Sequence, residues 1–317
     1  MRDTAVLCIV TMLLLAGCLQ SGGSPDHRPS DEDTPLEDGP FFSSGFEDDV
    51  EIIDVNENFA DIIGSDGQDW ETDLEHNAHF GDFRIFYEGG NDSQRSARII
   101  EDEGEDVLEF RLSEANVNAG EKGRVSTSLK ENPNLTEFRY VIDVKLEDAF
   151  ELIEPAEGRL TWMTIAEFWN DRAQTEYAFR ITLAIHKQSE EPNTPLSWYL
   201  HGQTQNQTTL DWVNVWTHYS DGAPVPVKQW FTLDVSIVEG DASTGSVAIS
   251  LTDQNGTEWT IMQDEVWTHH PDNANPGGFE TLNMMKLYTS AEVLNQLPAG
   301  RAFVILWDDF HIYTTVR

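Results

Sequence analysis

The sequence predicts an all-β fold, a sandwich or barrel built as one domain, and three observations carry that prediction. Apolar and polar residues alternate with period two in run after run, bounded by Gly, Pro, Asn and Asp, while sustained helical periodicity is missing. The runs are short, numerous and evenly spaced, as strands of stacked antiparallel sheets are. The stretch Met284–Tyr313 then joins a short strand to a long, strongly apolar closing strand through a compact crossover. Thr289 with Glu292 reads as a capping box for a brief helical turn in that crossover, ended by Pro298.

From the start of the chain, Met1–Cys18 has one early basic residue, Arg2, an apolar run from Ala5 to Leu15, and then Leu15-Ala16-Gly17-Cys18. This is a secretory signal whose small residues precede a cysteine, as in a lipoprotein signal, so Cys18 is the expected lipidation site. The apolar run is shorter than the ~20 residues a bilayer-spanning helix needs. If Cys18 is lipidated and Cys8 leaves with the signal, the mature chain has no cysteine for a disulfide and its core must hold the fold. Leu19–Gly45 is rich in Ser, Gly, Pro, Asp and Glu and reads as a disordered tether. A coil of that length reaches roughly 25–30 Å, which would hold residues 46–317, the folded domain, just clear of a membrane surface.

The chain carries 57 acidic against 19 basic residues, a formal net charge of −38. The acid is spread through every loop rather than gathered in one block, as on the solvated surface of a protein from a high-salt environment. At molar salt the Debye length is about 3 Å, so this charge does not exclude an acidic polymer as a partner. Nucleic acid is excluded as a partner, because no basic stripe is present to contact phosphates. Four N-x-Ser/Thr sequons, at Asn91, Asn134, Asn206 and Asn255, fall in or near turn-like segments, consistent with an extracellular surface.

The candidate strands in order are Val107–Leu112, Gly123–Leu129, Glu137–Leu146, Leu160–Trp169, Tyr177–Lys187, Leu196–Gly202, Leu210–Tyr219, Gln229–Val238, Ser246–Thr252 and Glu258–Met262. An Asp253-Gln254-Asn255-Gly256 turn makes the last two a hairpin. Chemistry is best sought on strands with one aliphatic face and an unexpectedly functional opposite face. In Tyr177–Lys187 the residues Tyr177, Phe179, Ile181, Leu183 and Ile185 point one way, and Ala178, Arg180, Thr182, Ala184 and His186 the other. The small residues beside Arg180 and His186 leave room for a ligand. Gly123–Leu129 puts Arg124, Ser126 and Ser128 on one face. Glu167 interrupts the apolar run of Leu160–Trp169, and a buried carboxylate there needs a partner, so a structural Arg–Glu pair and an acid/base role both stay open. Leu210–Tyr219 predicts Trp212, Asn214, Trp216 and His218 on a shared face, two indoles with interleaved polar groups suited to stacking on sugar rings.

The strand with Lys286 and Tyr288, followed by an aliphatic strand ending in Asp308-Asp309, resembles the C-terminal end of concanavalin A-like jelly rolls, above all polysaccharide lyases of the alginate-lyase and heparin-lyase-I type. Those show a K-x-G-x-Y strand, whereas here the Gly is missing and Tyr288 follows Lys286 by two residues rather than four. Their Q-x-H strand corresponds to Ala184-Ile185-His186, with the His kept and the Gln not, and their R-x-E-x-R strand keeps only Arg124. The resemblance implies β-elimination of a uronate-containing polysaccharide: Arg124 and Lys286 neutralise the uronate carboxylate, His186 acts as base and Tyr288 as acid or as shared acid and base. Arg180, Trp212, Asn214 and Trp216 would then bind carbohydrate.

Two alternatives stand beside it. A non-catalytic, lipid-anchored glycan-binding protein would use the same groove without cleavage, and a glycoside hydrolase would use Glu167. The paired-carboxylate E-x-D-x-x-E strand of jelly-roll glucanases is absent, which counts against the hydrolase. There is no HExxH, CxxC or EF-hand spacing, so His269-His270 does not make a metal motif, and no cofactor is expected beyond a structural calcium that the sequence does not localise. A Gly-rich phosphate loop and a G-x-S-x-G elbow are also missing.

Overall fold

Strict alternation gives each strand two unlike faces, and the chain buries the apolar ones by stacking two antiparallel sheets into a jelly-roll β-sandwich. A computed structural model describes residues 39–88, 93–115, 121–132, 134–220 and 222–314. The signal segment, Cys18, the tether through residue 38 and the Asn91 sequon lie outside them. The back sheet runs, in spatial order, Glu258–Glu265, Ser246–Asp253, Trp230–Val238, Glu137–Leu146, Phe303–Tyr313, Glu105–Leu112 and Arg95–Asp102. The front sheet runs Trp212–Tyr219, Leu196–Gln205, Phe179–Lys187 and Met163–Asp171, continues through the short strands Thr281–Asn283 and Lys286–Ser290, and ends with Lys122–Lys130, Asp82–Glu88, Phe59–Ile63 and Glu51–Asn56.

Between the sheets, Phe179, Ile181, Leu183 and Ile185 of the front layer and Tyr140, Ile142, Val144, Phe303, Ile305 and Trp307 of the back layer are all essentially excluded from solvent. Each such side chain contributes roughly 1.5–3 kcal/mol when removed from water, so the cysteine-free core has ample material to hold the fold. Phe168 links the layers, its ring lying 5.3 Å from Phe138 and 6.0 Å from Tyr140. The closing strand Phe303–Tyr313 occupies the middle of the back sheet, as its continuous apolar character requires.

Three sequence expectations need correction. The tether cannot extend to Gly45, because Phe42–Ser44 is a strand paired with Phe303–Tyr313 and Phe42 is fully buried. Phe42, Phe46 and Phe310 surround Trp70 at 4.8, 5.7 and 6.0 Å, an aromatic cluster that outweighs the polar composition around it. The turn after Lys286–Ser290 is capped by Ser290, whose hydroxyl accepts from the Val293 amide, while buried Thr289 donates to the Trp162 carbonyl. The third is the shared face of Trp212–Tyr219. A β-bulge against Gly202 and Gln203 reverses the facing of the strand midway, leaving Trp212 and Asn214 outward but turning Trp216 and His218 toward the sheet interior. Trp216 there donates to the Trp267 carbonyl at 2.7 Å and His218 to the Ile261 carbonyl at 2.8 Å. Gly202 is required at that point, since a Cβ would lie 2.2 Å from the Trp216 indole nitrogen.

Candidate functional site

The outer face of the front sheet is where functional side chains gather, and strand register sets their positions. Arg124, Tyr288, Thr164, Ala184, Tyr199 and Tyr219 are successive cross-strand partners, a row spanning six strands. A second row runs Glu167, Thr182, His201 and Thr217, and a third runs Trp169, Arg180, Gln203 and Asn214. Period two puts Lys286 on the Tyr288 face and His186 on the Arg180 face. Of the residues singled out from the sequence, Arg124, Glu167, Arg180, His186, Trp212, Asn214, Lys286 and Tyr288 therefore share this face. Trp216 does not.

Glu167 is the electrostatic centre. Its side chain is 3% exposed, and its carboxylate pairs with the Lys286 ammonium through one oxygen and with Arg180 at 2.9 Å through the other. Burial alone would favour the neutral acid, but Lys286 and then Arg180 outweigh it and hold the carboxyl down to about 2. Lys286 is fully enclosed. Burial draws its ammonium down to about 8 against the pull of Glu167, with Arg124 repelling it further. The structural Arg–Glu pair left open by the sequence is thus present, with a lysine added. A carboxylate so held and so covered cannot donate a proton to a glycosidic oxygen, so the hydrolase role for Glu167 does not fit. Nor can the enclosed Lys286 reach a substrate carboxylate; it compensates Glu167 instead.

Arg180 is positioned from both sides. Gln203 Oε1 accepts from its Nε at 2.9 Å and its NH2 at 2.8 Å, Gln203 donates to Asn214 at 2.8 Å, and Asn214 donates to Thr217 at 3.1 Å. The Trp212 ring covers the guanidinium at 4.1 Å and Trp169 lies 5.6 Å away, the two indoles meeting edge to face at 5.3 Å, so the cation rests beside an indole pair. Asn214 thus acts as a support for Arg180 as much as a contact surface.

At the other end of the face, Arg124 pairs with Glu88 at 2.8 Å and stands 5.2 Å from the Tyr288 ring. Its Nε is buried and has no hydrogen-bond partner among the described residues. Lys286 lies 5.0 Å and Lys122 6.0 Å from the same phenol ring, and Trp162 packs on it at 4.8 Å. Burial, and next the Glu88 carboxylate, push the Tyr288 phenol above its ordinary value, so it carries its proton at neutral pH. His186 stands apart. Following the register, it is about 10 Å across the strands and about 7 Å along them from Tyr288, and it contacts Tyr199 and Tyr219 at 5.5 and 5.7 Å. Burial, with Arg159 nearby, lowers its pKa and keeps it neutral.

Sequence reasoning missed Glu88, Trp162, Trp169, Tyr199, His201 and Gln203. The last three were within reach, since the same alternation extended through Leu196–Gln205 places Ser197, Tyr199, His201 and Gln203 on one face. His269 and His270 are engaged with each other, His269 Nδ1 donating to the His270 carbonyl at 2.9 Å.

No protein-family model and no curated protein matches the chain. Among solved structures, the marine PL-14 alginate lyase from Aplysia kurodai is similar at 10% identity, covering 76% of this chain and 97% of its own, with a TM-score of 0.48. A doubly substituted form of alginate lyase Aly36B in complex with an alginate trisaccharide is similar at 14% identity over 73% of this chain and 88% of its own, TM-score 0.46. The endo-β-1,4-glucuronan lyase from the fungus Trichoderma reesei follows at 15% identity over 72% and 90%, TM-score 0.44.

Proposed function

We propose that the protein binds an acidic polysaccharide along the outer face of the front sheet. The observation that carries this is the placement of positive charge. In a chain with a net charge of −38, Arg124 and Lys122 lie beside the Tyr288 ring and Arg180 lies beside Trp169 and Trp212 on the same face, while the enclosed Lys286 offsets Glu167. Indoles offer flat apolar area for sugar rings, and guanidinium groups match carboxylates bidentately.

Elimination is the second reading, and one arrangement favours it: a protonated phenol, Tyr288, beside Arg124, whose side chain stays 24% exposed. Arg124 would take the uronate carboxylate and acidify the adjacent C–H, and Tyr288 would protonate the departing oxygen. What this end of the face does not supply is a ready base, because His186 is held too far away and burial keeps the Tyr288 phenol protonated. Binding therefore ranks first.

Incubation with alginate, glucuronan and glycosaminoglycans at high salt separates the readings. Retention on immobilised polymer without a rise in ultraviolet absorbance supports binding. A rise from unsaturated uronate, cut about 10²–10⁴-fold in Tyr288→Phe with retention kept, establishes the lyase. The absence of both retention and cleavage would overturn both readings.

The N-terminal signal leads us to extend the proposal to location: export, followed by lipid anchoring at the outer face of the cell membrane through Cys18. Cys18→Ser should release the protein to the medium or leave its precursor uncleaved, and unchanged localisation and mass would contradict it.

A further inference from the structure

Leu196–Gln205 and Trp212–Tyr219, the two outermost strands at one end of the front sheet, contain no Asp, Glu, Lys or Arg. Every other described strand of five residues or more carries at least one. In a chain of which 24% of residues are charged, this is a depleted zone. It includes an edge strand, the position where charge ordinarily blocks unwanted pairing.

On the outer face of these strands Tyr199 and Tyr219 stack with ring centres 4.8 Å apart at 29°. Tyr219 is 45% exposed, and His186 and His201 border the pair, His201 edge-on to Tyr199 at 4.9 Å. Beneath them Thr182 and His201 oppose each other directly on adjacent strands, 3% and 9% exposed. Thr182 Oγ1 and His201 Nδ1 are both buried without a hydrogen-bond partner among the described residues. An unmet buried donor or acceptor costs about 1–3 kcal/mol, so two unmet neighbours just beneath the outer face are places where a ligand hydroxyl would be favoured. The fixed charges that reach the corner are few. Arg159 acts on His186 from the rim, and Arg180 and Glu167, which act on His201, are already paired with each other.

We propose that this corner is a subsite for an uncharged sugar unit, with the exposed Tyr219 and its partner Tyr199 stacking on the ring and Thr182 and His201 meeting its hydroxyls. The proposal rests on the acidic-polysaccharide reading and deepens it: the polymer along the face contains uncharged sugars beside its uronates. The geometry permits both to be held at once. From Tyr288 to Tyr219 is four strand spacings, about 19 Å, enough for several linked sugars.

The test compares two polymers by calorimetric titration of the full chain at high salt. Hyaluronan alternates glucuronate with uncharged N-acetylglucosamine, whereas polygalacturonate is acidic at every unit. The wild type should bind hyaluronan more tightly. Tyr219→Ala, at an exposed position that the fold does not depend on, should weaken hyaluronan about tenfold and polygalacturonate less than twofold. Thr182→Val, which keeps the shape and removes the hydroxyl, should reproduce that selectivity to a smaller degree. Equal losses for both polymers, no loss for either, or a wild-type preference for polygalacturonate would overturn the subsite while leaving acidic-polymer binding intact. Failure of the wild type to bind either polymer would overturn both.

Discussion

Two carboxylates, one on each sheet, meet opposite fates. Glu167 in the front sheet is enclosed by Lys286 and Arg180 and held ionised, with its pKa down to about 2. Asp308 in the back sheet lies directly across from Asp143 and next to Asp309. Burial first, and then those two neighbours with Glu47, push it up to about 7. Both positions desolvate a carboxyl group, so the difference lies in the company each keeps. With 19 basic residues set against 57 acidic ones, cations are scarce, and the fold places several of them on the front face. The teaching is that charge here is positional: the back sheet tolerates unpaired acid, while the front face is built around compensated charge.

The largest effect should come from removing the compensated carboxylate. Glu167→Ala leaves the Lys286 ammonium enclosed and unpaired and should cost about 3–5 kcal/mol in denaturant unfolding. If Lys286→Met in the same chain restores most of that loss, the pair is compensating; if the double variant is no better, the comparison breaks. The same carboxylate predicts an acid limb. A group whose folded pKa is depressed stabilises above its unfolded value, so the Glu167 contribution is present above about 4.5 and is lost as pH falls from there toward about 2.

Asp308 should behave with the opposite sign. Its folded pKa is raised, so its contribution is complete below about 3.8 and is lost as pH rises from there through about 7. Asp308→Asn should therefore raise the unfolding free energy at pH 8 by about 1 kcal/mol, after screening by solvent, and should flatten the wild-type decline between pH 4 and 7. Glu75, also pushed up to about 7 by burial and by Asp82, leaves part of that decline in place. No change at pH 8 would show that the back-sheet acids do not repel one another.

How far the sequence revealed this division can be judged from particular residues. Alternation in Tyr177–Lys187 placed Arg180 and His186 correctly on the open face, because an unbroken strand has only one possible facing. It failed for Trp216, since a bulge opposite Gly202 and Gln203 shifts the register and leaves no mark in the hydrophobic pattern. A carboxylate inside an apolar run announced that Glu167 needed a cation, but not that Lys286, 119 residues away, would supply the second one. Phe42 was hidden by its neighbours, whose loop-like composition masks a short strand paired across the whole domain. His186, matched by order along the chain, shares the face with Tyr288 without meeting it, since order fixes strand and face but not the row.

A smaller effect concerns the surface as a whole. Self-repulsion at −38 should lower stability in dilute buffer, and screening should restore it. The melting temperature should climb from dilute buffer to molar KCl, most of the gain coming before the Debye length falls to about 3 Å. A flat profile would contradict the high-salt reading of the acidic surface.

Calorimetric titration with alginate and with the same alginate after reduction of its carboxyl groups tests the front face most directly, because the two differ in the charge that Arg124 and its neighbours are placed to meet. The acidic polymer should bind at least tenfold more tightly than the reduced one, and Arg124→Gln should remove most of that gap while leaving the weak affinity for the reduced polymer unchanged. Equal affinity for the two polymers, or a gap that Arg124→Gln leaves intact, would contradict the assignment of this face to an acidic polysaccharide.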